Sequence, residues 1–190
     1  MVDGRSTDRT VEIAQRMLPG LRVVCQPGKG KGDALRFGVR EATGDVVVTV
    51  DADGETDPSQ ALRFVEALEQ GYDFAKGSRL ASGRPRRMPL YRWLGNQILA
   101  QTFNLLFATR FTDICSGYNA FRRQAFLRLP LTYDNCEMEQ QMLARARKAG
   151  MKIVEVSHRS EGRIAGVSKV SGLKQGFIDW LVVVKERFRG

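Results

Sequence analysis

The sequence predicts an α/β fold: a mostly parallel sheet flanked by helices, built as one domain over residues 1–190. Three observations carry this. Short β-rich apolar runs alternate with segments of helical period. The run Val46-Val47-Val48-Thr49-Val50 is almost continuously β-branched, as a strand covered on both faces requires. Acidic residues follow it at once, where an open parallel sheet places its ligand crevice.

In chain order, Thr7 or Asp8 caps a first helix carrying Val11, Ile13, Ala14, Met17 and Leu18, closed by Pro19-Gly20. Residues 21–25 read as a strand, 33–42 as a helix and 46–50 as the buried strand. Asp57-Pro58 opens a helix whose apolar residues are Leu62, Phe64, Val65 and Leu68, with Gly71 just past its end. Residues 79–92 form a basic loop containing Pro and Gly, and 90–108 read as a helix. A turn and short strand follow over 113–123, then a helix at 137–149 ended by Gly150, a strand at 152–156, and a last helix at about 172–188.

Composition narrows the function classes. At 43% hydrophobic and 27% charged the chain is an ordinary globular one. Lys and Arg number 30 against 21 Asp and Glu, and the resulting +9 predicts an anionic partner: nucleic acid, a phosphorylated metabolite or a membrane surface. The basic residues are scattered among other motifs and no nucleic-acid-binding signature occurs, so no nucleic acid partner is expected. Three cysteines without CxxC spacing point to a reducing, cytoplasmic setting. The single His158 excludes HExxH zinc chemistry. Asp3, Asp8 and Glu12 interrupt any secretory leader, and no apolar stretch reaches the roughly 20 residues that cross a bilayer.

The most informative segment is Asp51-Ala52-Asp53-Gly54-Glu55-Thr56-Asp57-Pro58. Asp51, Asp53 and Glu55 share parity, so an extended stretch projects them to one side. Like charges gathered this way call for a cation, and hard oxygen ligands suit Mg²⁺ or Mn²⁺, with positions left for substrate phosphates. A solvated turn capping the helix at Pro58 competes with this and accounts for Asp57. A calcium loop fails, because its sixth position is Thr56 and its twelfth Leu62. An Asp-x-Asp-Gly phosphatase would need a threonine where Glu55 stands and an Asp-Asp pair elsewhere for its metal, and this sequence has neither. Lys31 lies in the Gly-rich turn Lys29-Gly30-Lys31-Gly32, where amides can approach a phosphate or where the turn is merely structural.

Several motifs in order now carry a resemblance: Val2-Asp3-Gly4-Arg5-Ser6-Thr7-Asp8-Arg9-Thr10, Gly30-Lys31-Gly32-Asp33-Ala34-Leu35, Ala42-Thr43-Gly44-Asp45, Asp51-Ala52-Asp53, Gly77-Ser78-Arg79, Asp113-Ile114-Cys115-Ser116-Gly117-Tyr118 and Gly166-Val167-Ser168-Lys169. Together they resemble family 2 glycosyltransferases, in particular the dolichyl-phosphate mannosyltransferase and polyprenyl-phosphate glycosyltransferase group. The resemblance implies a GT-A, Rossmann-like fold, a nucleotide-diphosphate sugar donor, inversion at the anomeric carbon, and transfer of a hexose to polyprenyl or dolichyl phosphate. It also implies roles. Asp51 faces the donor's ribose or the metal, and Asp53 with Glu55 holds the Mg²⁺ or Mn²⁺. Asp3, Lys31, Arg163, Ser168 and Lys169 belong to donor binding. Asp113 is a general base or an acceptor-orienting carboxylate, and Arg79, Arg92 and Ser116 take the acceptor phosphate. Glu139, at a helix start, stands where the group often has an acid, although an exposed first-turn carboxylate explains it as well.

Basic Arg79, Arg84, Arg86, Arg87 and Arg92 adjoin apolar Met88, Leu90, Tyr91 and Trp93, the combination a lipid phosphate needs. Peripheral attachment to a membrane surface is therefore expected, with the last helix adding apolar area, although Phe177, Ile178, Leu181 and Val182 also suit a core. The chain starts at the Val2-Asp3 turn, whereas the family pattern opens with an earlier strand and helix. An N-terminally short fold with an unpaired strand edge is thus expected, and with it two alternatives: a non-catalytic member that binds a partner, and a transferase with a non-lipid acceptor.

Overall fold

The computed structural model describes residues 1–160 and 172–189. Its elements are β1 (Val2–Asp3), α1 (Thr10–Met17), β2 (Val24–Cys25), α2 (Lys31–Glu41), β3 (Val46–Thr49), a 3₁₀ turn (Pro58–Gln60), α3 (Ala61–Glu69), β4 (Phe74–Ser78), α4 (Leu90–Phe107), β5 (Asn119–Arg122), α5 (Arg123–Leu127), α6 (Met138–Lys148), β6 (Ile153–Ser157) and α7 (Gly172–Phe188). Three of these, β1, β4 and α5, are absent from the sequence expectation. The Lys76-Gly77-Ser78 half of β4 carries no β-branched residue, so its pattern hides a strand that is buried throughout.

The sheet is α/β but mixed. β1 pairs with β2 in a parallel two-stranded sheet, and a four-stranded sheet runs in the order β3-β5-β4-β6. β5 is antiparallel to both β3 and β4, while β4 and β6 are parallel, so β3, β4 and β6 share one direction and β5 runs against them. This insertion has a functional consequence. The residues just before β5 lie at the same edge as the ends of the other three strands, with Asn119 opposite both Thr49 and Lys76, and Ser78 opposite Ser157. Among the described strands, β1 and β3 each pair along one edge only.

Strand alternation splits the core in two. Phe74 and Phe121 face Leu99, Phe103, Met138, Met142 and Leu143. Their neighbours Ala75 and Ala120 face Phe64, Leu68 and Tyr118 on the α3 side. Phe64 stacks on Tyr118 at 4.3 Å between ring centroids, and Leu62 of the same helix points outward. α1 buries none of its residues, because the two-stranded sheet beneath it offers too little surface. α4 ends where Ala108 turns left-handed (φ 52°). Asn104 fastens that end, donating to Phe111 O and accepting from Phe111 N, both at 2.8 Å. α7 packs on α4 and α6; Val182 and Val183 are buried, whereas Phe177 and Leu181 are exposed. Among the described residues no helix is long and apolar enough to cross a membrane.

Candidate functional site

β3 delivers Asp51 to the crevice, but the acids beyond it do not form the single row that parity predicts. The chain turns sharply at Gly54 (φ +72°), and Asp53 Oδ1 accepts from the Glu55 amide at 3.1 Å. Asp57 caps the following 3₁₀ turn as expected, accepting from the Ser59 amide at 2.9 Å and its hydroxyl at 2.7 Å. Among the described residues no three Asp, Glu, His or Cys side chains converge as a ready-made metal cluster. One or two carboxylates completed by substrate phosphates and waters are nevertheless what Mg²⁺ commonly uses. Asp53 and Glu55, hard oxygen donors on a partly exposed turn, fit that arrangement.

Asp51 has a fixed counter-ion. Lys31 Nζ lies 2.8 Å from Asp51 Oδ1 and 3.3 Å from Glu139 Oε1. Burial opposes the charge on Lys31, yet the two carboxylates outweigh it and hold the ammonium above its ordinary pKa. Gly117 makes room for this pair, since a Cβ there would stand 2.4 Å from both Asp51 Oδ2 and Lys31 Nζ. The glycine turn around Lys31 is explained by packing. A Cβ on Gly30, itself at φ +90°, would stand 2.2 Å from Asp134 O, and that carbonyl accepts from the amides of Gly32 at 2.7 Å and Asp33 at 3.2 Å. Those two amides are therefore committed to the protein, which favours the structural of the two readings of this turn.

Asp113 has 0% exposure, and its oxygens are fully engaged. They accept from Arg79 Nε at 2.7 Å, Arg79 Nη2 at 3.1 Å, the Arg79 and Cys115 amides, and Asn96 Nδ2 at 3.2 Å. Burial alone would raise its pKa, but Arg79 overrides this and keeps the carboxyl well below the carboxylate range. A carboxyl held ionised and bonded in this way matches the orienting alternative rather than the general-base one: Asp113 holds the fork of Arg79.

Ser116 is likewise withdrawn, at 2% exposure. His158 Nδ1 faces Arg159 O at 3.1 Å and Nε2 faces Ser116 Oγ at 2.9 Å. A carbonyl only accepts, so Nδ1 carries the proton and Nε2 accepts from the serine hydroxyl. That engages the hydroxyl proton Ser116 would give an acceptor phosphate for as long as His158 is neutral.

Asp3, 7% exposed, accepts from the Ser6 amide at 3.0 Å and hydroxyl at 2.6 Å. These bonds hold its carboxyl below the usual value. Arg163, Ser168 and Lys169 lie outside the described residues.

Four residues that support the site were missed from sequence. Lys76, wholly buried, donates to Ser116 O. Glu155 accepts from the Thr112 and Asp113 amides at 2.8 and 3.1 Å. Asn96 holds Asp113 while its own Oδ1, buried, meets no partner among the described residues. His158 was noted only for excluding zinc. The signal for Glu155 is its place on a strand between Val154 and Val156, where a charge is costly unless it has a partner; Lys76 lies on the strand that the pattern hides.

A cavity of about 460 Å³ opens between the 79–89 loop and the first turns of α4 and α7. Arg79, Arg87, Arg92 and Glu55 contribute charge to its wall, and Met88, Leu99 and Trp180 contribute apolar surface. Tyr91, Ile98, Leu173 and Trp180 belong both to this wall and to the exposed apolar surface of α4 and α7, where Leu94, Phe177 and Leu181 continue it.

Comparison with known proteins agrees with this architecture. Residues 1–129 match the family model described as glycosyl transferase family 2. The chain is 37% identical over 157 residues to glycosyltransferase AglJ of Haloferax volcanii, covering 82% of this chain and 51% of that protein. It is 35% identical over 156 residues to a dolichyl-phosphate hexose transferase of the same organism, covering 82% and 66%. The chain thus spans about half to two thirds of these relatives. Among solved structures, glucosyl-3-phosphoglycerate synthase from Mycobacterium tuberculosis, in complex with Mn²⁺, UDP-glucose and phosphoglyceric acid, superposes with a TM-score of 0.73 at 20% identity, covering 98% of this chain and 67% of that one. That likeness concerns the fold.

Proposed function

The chain belongs to glycosyltransferase family 2 and is similar to its dolichyl- and polyprenyl-phosphate group; from that premise we propose that it transfers a hexose, with inversion, from a nucleotide-diphosphate sugar to a polyprenyl phosphate. The observation that carries the acceptor is the cavity: its wall holds arginines and apolar residues together, and the apolar part runs out onto the exposed faces of α4 and α7. A phosphate needs the first and an isoprenoid chain the second. The same faces, with Arg84, Arg86 and Arg87, supply the apolar area and positive charge of a reversible attachment to an anionic membrane surface.

In this reading Asp113 orients Arg79, and Arg79 with Arg92 holds the acceptor phosphate, which is already ionised near neutral pH and needs no strong base. Lys31 fixes Asp51 at the strand tip, so that Asp51 and Asp3 can meet the nucleoside. Asp53 and Glu55 would hold the divalent ion. Bound there, Mg²⁺ or Mn²⁺ supplies charge neutralisation for the departing nucleoside diphosphate.

The test is a donor panel of GDP-mannose, UDP-glucose and UDP-GlcNAc with Mn²⁺ and a short polyprenyl phosphate, followed by extraction of lipid-linked sugar. Transfer from one donor is expected. Sugar-nucleotide binding without transfer by the complete protein would instead identify a non-catalytic member.

A further inference from the structure

Asp179 of α7 lies in the wall of the acceptor cavity, 6% exposed, and the roles above do not use it. Its Oδ1 accepts from Gln175 Nε2 at 2.8 Å, one helical turn earlier on the same helix. Gln175 Nε2 also reaches Glu137 Oε2 of the turn before α6, at 3.4 Å. Among the described residues no cation pairs with Asp179. A carboxylate kept in a largely apolar wall with no cation paired to it among the described residues is costly, and a fixed charge of this kind discriminates against ligands that bring a like charge to it.

We propose that Asp179 sets acceptor specificity, admitting phosphate monoesters whose remainder is uncharged and turning away those that carry a second anionic group. The proposal rests on the acceptor reading given above and deepens it. With the phosphate at Arg79 and Arg92, whatever the phosphate carries must lie along the rest of the wall. An isoprenoid chain brings no charge there. The carboxylate of a three-carbon phosphate such as phosphoglyceric acid stays inside the same cavity, within the ~8 Å over which charges interact at physiological salt.

The groups that set the charge of Asp179 are on three sides. Gln175 bonds it from its own helix, Glu137 and Glu139 face it from α6 and its approach, and Arg79, Arg87, Arg92 and Glu55 share its cavity. Burial, more than the neighbouring acids, pushes its pKa up to about 6. Exclusion therefore operates near neutrality and weakens as the pH falls through that value. Both acceptors are phosphate monoesters with a second ionisation near ~6, so the ratio of their affinities cancels phosphate titration and isolates Asp179.

The experiment is calorimetric titration of the whole protein with farnesyl phosphate and with 3-phosphoglycerate at about pH 7.5 and about pH 5.5, for the wild type and Asp179→Asn. The wild type should prefer farnesyl phosphate, and the ratio of dissociation constants should shrink about ten-fold in Asp179→Asn. It should also shrink in the wild type, and not in the variant, between the higher and the lower pH. An unchanged ratio in Asp179→Asn, or a wild-type ratio indifferent to pH, overturns the proposal while leaving the lipid-phosphate reading intact. A wild type that prefers 3-phosphoglycerate, or binds neither, overturns that reading and the proposal with it. Should Asp179→Asn fail to fold by circular dichroism, Asp179→Ser and the wild-type pH series decide the matter.

Discussion

Lys31 Nζ lies 2.8 Å from Asp51 Oδ1 and bridges from there to Glu139, a carboxylate 3% exposed. One lysine thus ties the first turn of α2 to the end of β3 and to the first turn of α6. Removing it leaves Glu139 with Asn119 Nδ2, at 3.0 Å, as its remaining side-chain donor among the described residues. Because Lys31 is one-third exposed, the cost should fall below that of breaking a fully buried pair, at about 2 kcal/mol. Lys31→Met should lower the melting temperature by about 4–8 °C, and adding Glu139→Gln should restore most of the loss. A double variant no more stable than the single one would deny the coupling.

Asp53→Asn should reduce Mn²⁺-dependent transfer by about 100-fold, because an amide is a neutral and weaker ligand for a hard cation. Asp57→Asn, four residues on, keeps a side-chain acceptor for the Ser59 amide and should change kcat/KM less than about two-fold. Near-normal turnover of Asp53→Asn would remove the ion from this turn.

Asp113 makes a distinguishable prediction. As a positioning residue its loss should be felt mainly as a rise in acceptor KM, and Arg79→Lys, which cannot reproduce the fork, should show the same pattern. The pH profile of the wild type should contain no limb belonging to Asp113, since Arg79 holds the carboxyl ionised across the working range. The linkage sign follows from that depression. The unfolded chain takes up the proton first, so the stabilisation is complete above about pH 4 and drains away as pH falls toward the lowered native value. A kcat that falls steeply in Asp113→Asn with acceptor KM unchanged would return it to acid–base chemistry.

Surface attachment is testable without catalysis. Ile98 and Phe177 are 63% and 62% exposed, so Ile98→Asp and Phe177→Asp should leave the melting temperature within about 2 °C. The same changes place charge in an apolar face and should cut flotation with anionic vesicles by about ten-fold or more. Wild-type protein that fails to float at low salt would count against the attachment.

How much of this was legible beforehand depended on the kind of signal. The β-branched run at β3 and the helical periods of α3, α4 and α6 each announce an element through one-dimensional pattern, and the boundaries came within a few residues. β4 was hidden because Lys76 and Gly77 break its apolar run, although Lys76 is buried and met by Ser116 O. The antiparallel insertion of β5 is a pairing between distant segments, and nothing in residues 119–122 declares a direction. The site was legible as a set of motifs but less so as a set of roles. Asp113 and Ser116 are the residue types that proton transfer and phosphate binding use, and only the fold brings them, buried, against Arg79 and His158.

His158 offers the sharpest measurement of that burial, because it is the one histidine in the chain and its ring resonances need no assignment. Burial lowers its pKa; the Arg159 carbonyl favours the charged ring, but less strongly. The native state therefore resists a proton that the unfolded chain accepts near ~6.5. By linkage the contribution of His158 to stability is intact above that pH and is lost as pH falls from it toward the native value. Its Cε1 proton should titrate with a midpoint below ~6.5, and denaturant midpoints should decline over the same interval in the wild type but less in His158→Gln. Protonation would also reverse the bond to Ser116, since Nε2 would then donate and free the serine hydroxyl to turn elsewhere. A midpoint at or above the ordinary value would mean that the ring is solvated and that Ser116 keeps its proton for a substrate.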